Sequence, residues 1–333
     1  MGMAPARRAG FYRIGNETPA PGPMIGRPEA LVRWPWLREL DWHAIADRFP
    51  IRIPRAWAEG ASDPDDPLLR TALPDATELR DDPADLPDPV GDAAMSPLPW
   101  VVQKHPDRVL LLLTKRCHLY CRYCFRRDHH PGAAEDPSDA EWAAMLSFAA
   151  NSGAREVILS GGDPLAVSDA RLFEAIDAVP ARTVRVHTRA PITWPRRVTP
   201  ALVEGLRARA PVWMLVHANH ARELSDPVRA ALSRLVDAGL PVLNQSVLLA
   251  GVNDDVDTLA ELSARLLELR VFPYYLHHTD PAPGNAAFRV DPHRGLALHR
   301  ALRERTSGLG LPAYVIDRPD GSGKIPVEEW LRR

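Results

Sequence analysis

Residues 106–127 read PDRVLLLLTKRCHLYCRYCFRR, in which an apolar run at 109–114 leads within a few residues into three cysteines. Valine followed by four leucines leaves no polar face, so a strand there is buried on both sides, as in a parallel sheet covered by helices. Runs of the same kind recur at 156–160, 183–188, 212–216, 242–247 and 272–277. Between them lie stretches with apolar residues at i, i+3 and i+4, at 141–151, 170–178, 200–209, 227–238 and 255–269. From the second run onward the starts are roughly 27 to 30 residues apart, the length of a strand and its returning helix. Six consecutive βα units with right-handed crossovers predict an α/β fold, an incomplete (β/α)6 TIM-type barrel. A doubly wound open sheet is the alternative that periodicity leaves standing.

Polar residues stand at the C-terminal end of every run. Cys117 follows the first, Ser160, Gly161, Gly162 and Asp163 the second, and His187 and Arg189 the third. His217, Asn219 and His220 follow the fourth, Asn244, Gln245 and Ser246 lie in the fifth, and His277, His278 and Asp280 end the sixth. In a parallel barrel all of these share one mouth, where ligands bind.

With 41 basic and 43 acidic residues the net charge is -2, which offers no polycationic surface, so no nucleic-acid partner is expected. The N-terminal MGMAPARRAGFYRIG has no apolar signal core, and Gly2 lacks the Ser or Thr of a myristoylation site. No stretch reaches the roughly 18 apolar residues that span a bilayer. The expectation is a soluble, cytoplasmic protein without a membrane partner. Many of the 34 prolines fall in the first hundred positions. Residues 1–95 are therefore expected to form an N-terminal, mostly helical, Pro-rich extension wrapping the barrel of 96–280, with 281–333 as a C-terminal segment.

Cysteine usage is local: all three thiols lie within CHLYCRYC, and none is left elsewhere to build a disulfide framework. The spacing C-x3-C-x2-C on a loop after a strand suits three irons of a [4Fe–4S] cubane whose fourth iron stays open, since such clusters usually take four cysteines. A zinc site completed by His118, His129 or His130 is the competing reading, but structural zinc favours two separated pairs of ligands.

This pattern resembles the radical S-adenosylmethionine superfamily. More specifically, residues 48–327 resemble the lysine 2,3-aminomutases and the related enzymes of elongation factor P lysine modification. The likeness is carried by DPDDPLLR, PDRVLLLLTKRCHLYCRYCFRR, EVILSGGDPL, VRVHTRAPI, HANH, NQSVLLAGVND, PYYLHHTDPAPGNAAFR and YVIDRPDGSGKIPV, in that order. It implies an isomerase that converts L-α-lysine to β-lysine by a radical 2,3-amino migration, with a [4Fe–4S] cluster, S-adenosyl-L-methionine and pyridoxal 5'-phosphate as cofactors. It also implies an electron donor as partner, and the oligomeric state stays open.

Residue by residue, the resemblance implies that Cys117, Cys121 and Cys124 hold the cluster and that Tyr123 covers it and the adenine. Ser160, Gly161, Gly162 and Asp163 would bind the methionyl amino group, with His217 and Gln245 as adenosyl contacts. Lys324 in its glycine-rich segment would be the catalytic lysine that bonds to pyridoxal phosphate. Lys104 and Arg108 would hold the phosphate, and His277 stands near the pyridoxal ring where the free-lysine enzymes have tyrosine. Arg126 would fork onto the substrate carboxylate, with Arg127 as its competitor, and Asp280 and Asp317 would clamp the ε-ammonium. Singly, either acid also reads as a turn residue, because both precede Pro/Gly-rich stretches. CRYCFRR is similar to the elongation factor P branch and YVIDRPDGSGK to the free-lysine branch. Another substrate such as glutamate or arginine, or a non-catalytic metal-binding or factor-docking protein, is the rival reading.

Overall fold

The computed structural model describes residues 23–333 apart from 60, 62, 64, 128–133, 180, 181 and 210. Gly2 with the N-terminal motif, and His129 and His130, lie outside the described residues. The nine strands are β1 (Val101–His105), β2 (Arg108–Leu112), β3 (Glu156–Ser160), β4 (Thr183–His187), β5 (Val212–Val216), β6 (Val242–Val247), β7 (Phe272–His277), β8 (Ala313–Arg318) and β9 (Gly323–Pro326). They form a single sheet in sequential order. Neighbours from β2 to β8 are parallel, while β1 and β9 are antiparallel edges. A doubly wound sheet would reverse its strand order at a switch point. This sheet never reverses, and it curls into a nearly closed barrel.

The six apolar runs are strands β2 to β7, so the six-unit barrel is present. Three further strands extend it. β1 and β9 are short and carry polar or charged residues, VVQKH and GKIP, so their pairing rather than their composition makes them strands. β8, AYVIDR, continues the parallel series. The segment from 281 onward therefore completes the barrel's sheet.

Helices return the chain between strands: α1 (Asp139–Asn151), α2 (Asp169–Asp177), α3 (Pro200–Arg207), α4 (Asp226–Asp237), α5 (Val256–Glu268) and α6 (Pro292–Arg305). Their starts are locally encoded. Ser138 and Glu141 form a capping box for α1, and Ser168, Thr199, Asp255 and Asp291 cap later helices. Val109, Leu111, Val157 and Leu159 are at most 1% exposed and face this helical layer. Inward-facing positions alternate with them, and these are the residues that turn polar towards the mouth. Among the described residues no helix is long and apolar enough to cross a membrane.

The extension is a chain of short helices, such as Arg27–Arg33, Trp42–Arg48 and Pro67–Arg70, separated by prolines and turns. It has no core of its own: Trp34, Trp57 and Leu69 belong to the same apolar cluster as Val157 and Leu159. It also grips the cysteine loop. Tyr120 N donates to Arg52 O at 3.2 Å, and Arg122 N donates to Thr71 O at 2.9 Å. Glu78, 1% exposed, accepts from Arg122 Nε at 2.9 Å and Nη2 at 2.5 Å, and from Arg127 Nη2. Both guanidinium groups lie over the Phe49 ring, at 4.8 and 4.7 Å.

A buried carboxylate shared by two buried arginines is expensive to break because each removal strands an uncompensated charge. Glu78→Ala is expected to destabilise the fold by about 3–5 kcal/mol, measured by chemical denaturation. A loss within 1 kcal/mol would mean that the extension does not depend on this contact.

Candidate active site

A cavity of about 490 Å³ runs from the cysteine loop into the barrel lumen. The residues to which the resemblance gives a ligand line it: the three cysteines with Tyr123, the Ser160–Asp163 turn, His217, Gln245, Lys104, Arg108, Arg126, His277, Asp280, Asp317 and Lys324. Asn219, His220, Asn244, Ser246 and His278, expected at the same mouth, are not among the lining residues. Arg127 is not among the lining residues. It is buried in the Glu78 pair and also donates to Gly284 O at 3.0 Å.

At one end, Cys117, Cys121 and Cys124 are half-buried and free of disulfides. Burial, and then Asp163 and the other two thiols, push Cys117 well up; burial and Cys121 push Cys124 up to about 11. Three thiols crowded on one loop are a donor set that cluster irons would relieve by displacing the protons. Among the described residues no three His, Cys, Asp or Glu converge on a single ion. A cubane distributes its thiolates over separate irons, and three thiols on one loop are a donor set that suits it. His118 packs against Trp194, ring centroids 4.7 Å apart.

The glycine turn explains how the cysteine loop is held. Leu113 N donates to Ser160 O at 3.0 Å, Gly162 N to Thr114 O at 2.6 Å and Asp163 N to Arg116 O at 2.8 Å. A Cβ on Gly161 would lie 2.2 Å from Thr114 O, and one on Gly162 would lie 2.4 Å from Arg116 O, so only glycine permits this approach. The Asp163 carboxylate is fully engaged inside the protein, accepting from Leu165 N, Thr188 Oγ1 and Arg189 N at 2.9, 2.6 and 2.9 Å. It shapes the turn.

Behind the cysteines lies a network that sequence reasoning left without a role. Arg189 donates to Cys121 Sγ at 2.7 Å and to Glu223 Oε2 at 3.0 Å. Glu223 Oε1 accepts from Asn219 N at 3.0 Å, and Asn219 Nδ2 donates to the Tyr123 hydroxyl at 2.7 Å. That hydroxyl is hydrogen-bonded in turn to His217 Nε2 at 2.8 Å. Burial, then Arg189, hold His217 well below its ordinary pKa, so the ring is neutral. Arg189 and Asn219 stood out in sequence only as rim residues; Glu223, midway in a loop, carried no signal at all.

At the other end, Lys324 on β9 lies opposite Asp317 on β8, with Nζ to Oδ1 at 3.0 Å. Asp317 is also 3.8 Å from His277 Nδ1. Burial and Lys324 lower His277 to about 3, so it is neutral there. Asp280 faces the cavity from deep inside the protein; burial, then the Asp317 carboxylate, raise it to about 8. Lys104 and Arg126 both reach one further acid, Asp92, which the sequence reading passed over among the many acids of the extension.

Residues 111–262 match the family model described as the Radical SAM superfamily. L-lysine 2,3-aminomutase of Escherichia coli is 37% identical over 86% of this chain and 85% of its own length. The enzyme of that name from Clostridium subterminale is 41% identical over 80% of this chain and 65% of its own, and a putative one from Treponema pallidum is 43% identical over 72% and 69%. The chain belongs to the lysine 2,3-aminomutase family. It spans just under two thirds of the Clostridium relative. As a family member it carries the superfamily's cysteine loop on the first parallel strand, and its barrel is of the radical S-adenosylmethionine kind.

Replacing any one of the three cysteines by alanine is expected to reduce iron and sulfide retained after anaerobic reconstitution to a small fraction of the parent's. Gly162→Ala, by pushing on Lys115 and Arg116, should lower it as well with little change in helix content by circular dichroism. Parent-like iron in Gly162→Ala would refute the account of the turn.

Proposed function

We propose that the protein is an isomerase that converts L-α-lysine to β-lysine by moving the amino group from C2 to C3. The observation that carries this reading is that one cavity joins the three thiols at one end to Lys324, Asp317, Asp280 and Arg126 at the other. When bound, the cluster with S-adenosylmethionine supplies a hydrogen-abstracting radical, and pyridoxal phosphate on Lys324 supplies an electron-delocalising ring.

The chain's own residues then divide the work. Gly162 N and Asp163 N of the turn are engaged by the cysteine loop, so the turn suits an ammonium group, which needs acceptors, and the methionyl amine is such a group. Tyr123 and His217, locked to each other, offer rigid walls beside it, with Gln245 across from them as an adenosyl contact. Lys104 and Arg108 supply cations for the phosphate, and neutral His277 flanks the pyridoxal ring. Arg126 grips the substrate carboxylate, while Asp280 and Asp317 receive the ε-ammonium, whose burial requires pairing. Lys324 pairs with Asp317 at 3.0 Å, so one acid serves both the enzyme's lysine and the substrate's. Enclosure in the lumen keeps water and oxygen from the reacting atoms. Free β-lysine is the product, and its use in elongation factor P modification is the extension that an assay coupled to the factor and its lysyl ligase tests.

Anaerobic reconstitution with iron, sulfide, pyridoxal phosphate and adenosylmethionine, followed by an amino-acid screen, should give β-lysine from lysine alone. Turnover of glutamate or arginine in preference to lysine would reject the assignment. Asp280→Asn and Asp317→Asn should each raise KM for lysine by roughly 30-fold or more, the effect of truncating one partner of a buried charge pair.

The raised pKa of Asp280 makes a second prediction. Below about 8 the empty site holds this carboxyl protonated, and above it the carboxylate is ready for a cation. The substrate's ε-ammonium stays charged across that range. KM for lysine should therefore fall as pH rises towards 8, and Asp280→Asn should flatten the dependence; a profile identical in the variant would remove Asp280 from the clamp.

A further inference from the structure

Asp92 belongs to the extension, not to the barrel, yet it lies 6% exposed in the wall of the cavity. Its Oδ1 is 2.8 Å from Lys104 Nζ, and its Oδ2 accepts from Arg126 Nη2 at 2.8 Å. One carboxylate thus neutralises two cations that the proposed function gives to two different anions, a phosphate and a substrate carboxylate. Its backbone is fixed from behind: Asp92 N and Ala93 N donate to the Asp88 carboxylate at 2.9 and 2.7 Å, and Ser96 Oγ donates to Asp92 O at 2.8 Å. The adjoining Gly91 is seated on the glycine loop before Lys324, where a Cβ would come 2.5 Å from Gly321 N. Arg126 Nε is buried without a hydrogen-bond partner, so the Asp92 carboxylate leaves part of this guanidinium unpaired. Burial works to raise the pKa of Asp92, but Arg126 and Lys104 outweigh it and hold the carboxyl well below the usual range.

We propose that Asp92 is a positioning and specificity-determining residue, a built-in carboxylate that pairs with Lys104 and Arg126 and must be shared or displaced when anionic ligands arrive. The inference rests on the proposed function for the identity of those anions. Asp92 keeps two cations side by side without ligand, where they would otherwise repel one another and lose their solvation. It also sets how much anion a ligand must bring, since each cation is already paired with a carboxylate. An acid whose only task were to build the cavity would support anion binding, and its loss would weaken it. A stand-in anion acts in the opposite sense: its loss tightens binding, because the ligand then supplies the missing charge.

The test is binding of inorganic phosphate, and separately of pyridoxal phosphate, to the cluster-loaded protein by titration calorimetry and by the absorbance of the bound pyridoxal group. Asp92→Asn is expected to bind both about tenfold more tightly than the parent, and to unfold at a lower temperature without phosphate but regain the difference with it. Asp92→Glu, which keeps the charge, should stay near the parent. Asp92→Ser also removes the charge and serves as the neutral variant if the amide does not yield folded protein. Equal or weaker anion binding in the neutral variant overturns the proposal and leaves the proposed function standing. A parent protein that takes up no pyridoxal phosphate overturns the proposed function, and this inference with it.

Discussion

Parallel pairing of β2 through β8 is the constraint from which the rest follows. Each strand in such a ladder ends on the same side as its neighbours, so every loop after a strand is delivered to one mouth. Because the outward face of each strand is apolar and buried under helices, polar residues can stand only on the inward face or beyond the strand end. The lumen that results is lined by charge in an otherwise apolar shell. In that setting a carboxylate or an imidazole is governed by burial first and by its nearest charge second, as the opposite fates of Asp280 and Asp92 illustrate.

The extension is as much a part of the site as the barrel. Its residues 49–78 bind the backbone of the cysteine loop and supply Glu78 to two arginines on either side of the last cysteine, while its residues 88–96 supply Asp92 to the cavity. A barrel that is nearly, but not fully, closed needs such a cover. His105 at the end of β1 and Gly323 at the start of β9 approach each other without pairing, and the Gly91–Gly321 contact seals the neighbouring gap. The lysine proposed to carry the pyridoxal group sits on that seam.

The two ends of the cavity are stiffened differently. Near the thiols, an unbroken chain of hydrogen bonds runs from Cys121 through Arg189, Glu223, Asn219 and Tyr123 to His217, and the turn at Gly161 and Gly162 is packed too closely for a side chain. Near Lys324 the contacts are ion pairs, Asp317 with Lys324 across two strands and Asp92 of the extension with Lys104 and Arg126. Hydrogen-bond chains suit a permanent cluster. Ion pairs that a ligand can exchange suit a substrate.

By itself the sequence determined the six βα units, the positions of β2 to β7 and the cysteine loop, because each rests on a local pattern: four leucines after valine, apolar residues at helical spacing, three cysteines in eight residues. Family likeness named the candidates around the cavity, and the barrel brought them to one shared lining. Only tertiary structure decided that VVQKH and GKIP are strands, since their pairing partners lie elsewhere in the chain or in a polar context. Only it separated Arg126, facing the cavity, from Arg127, buried on Glu78, two neighbours that no local rule distinguishes. And only it gave Asp92 and Glu78 their partners, because an acid in a proline-rich segment looks like any other until the fold places a cation within hydrogen-bonding distance.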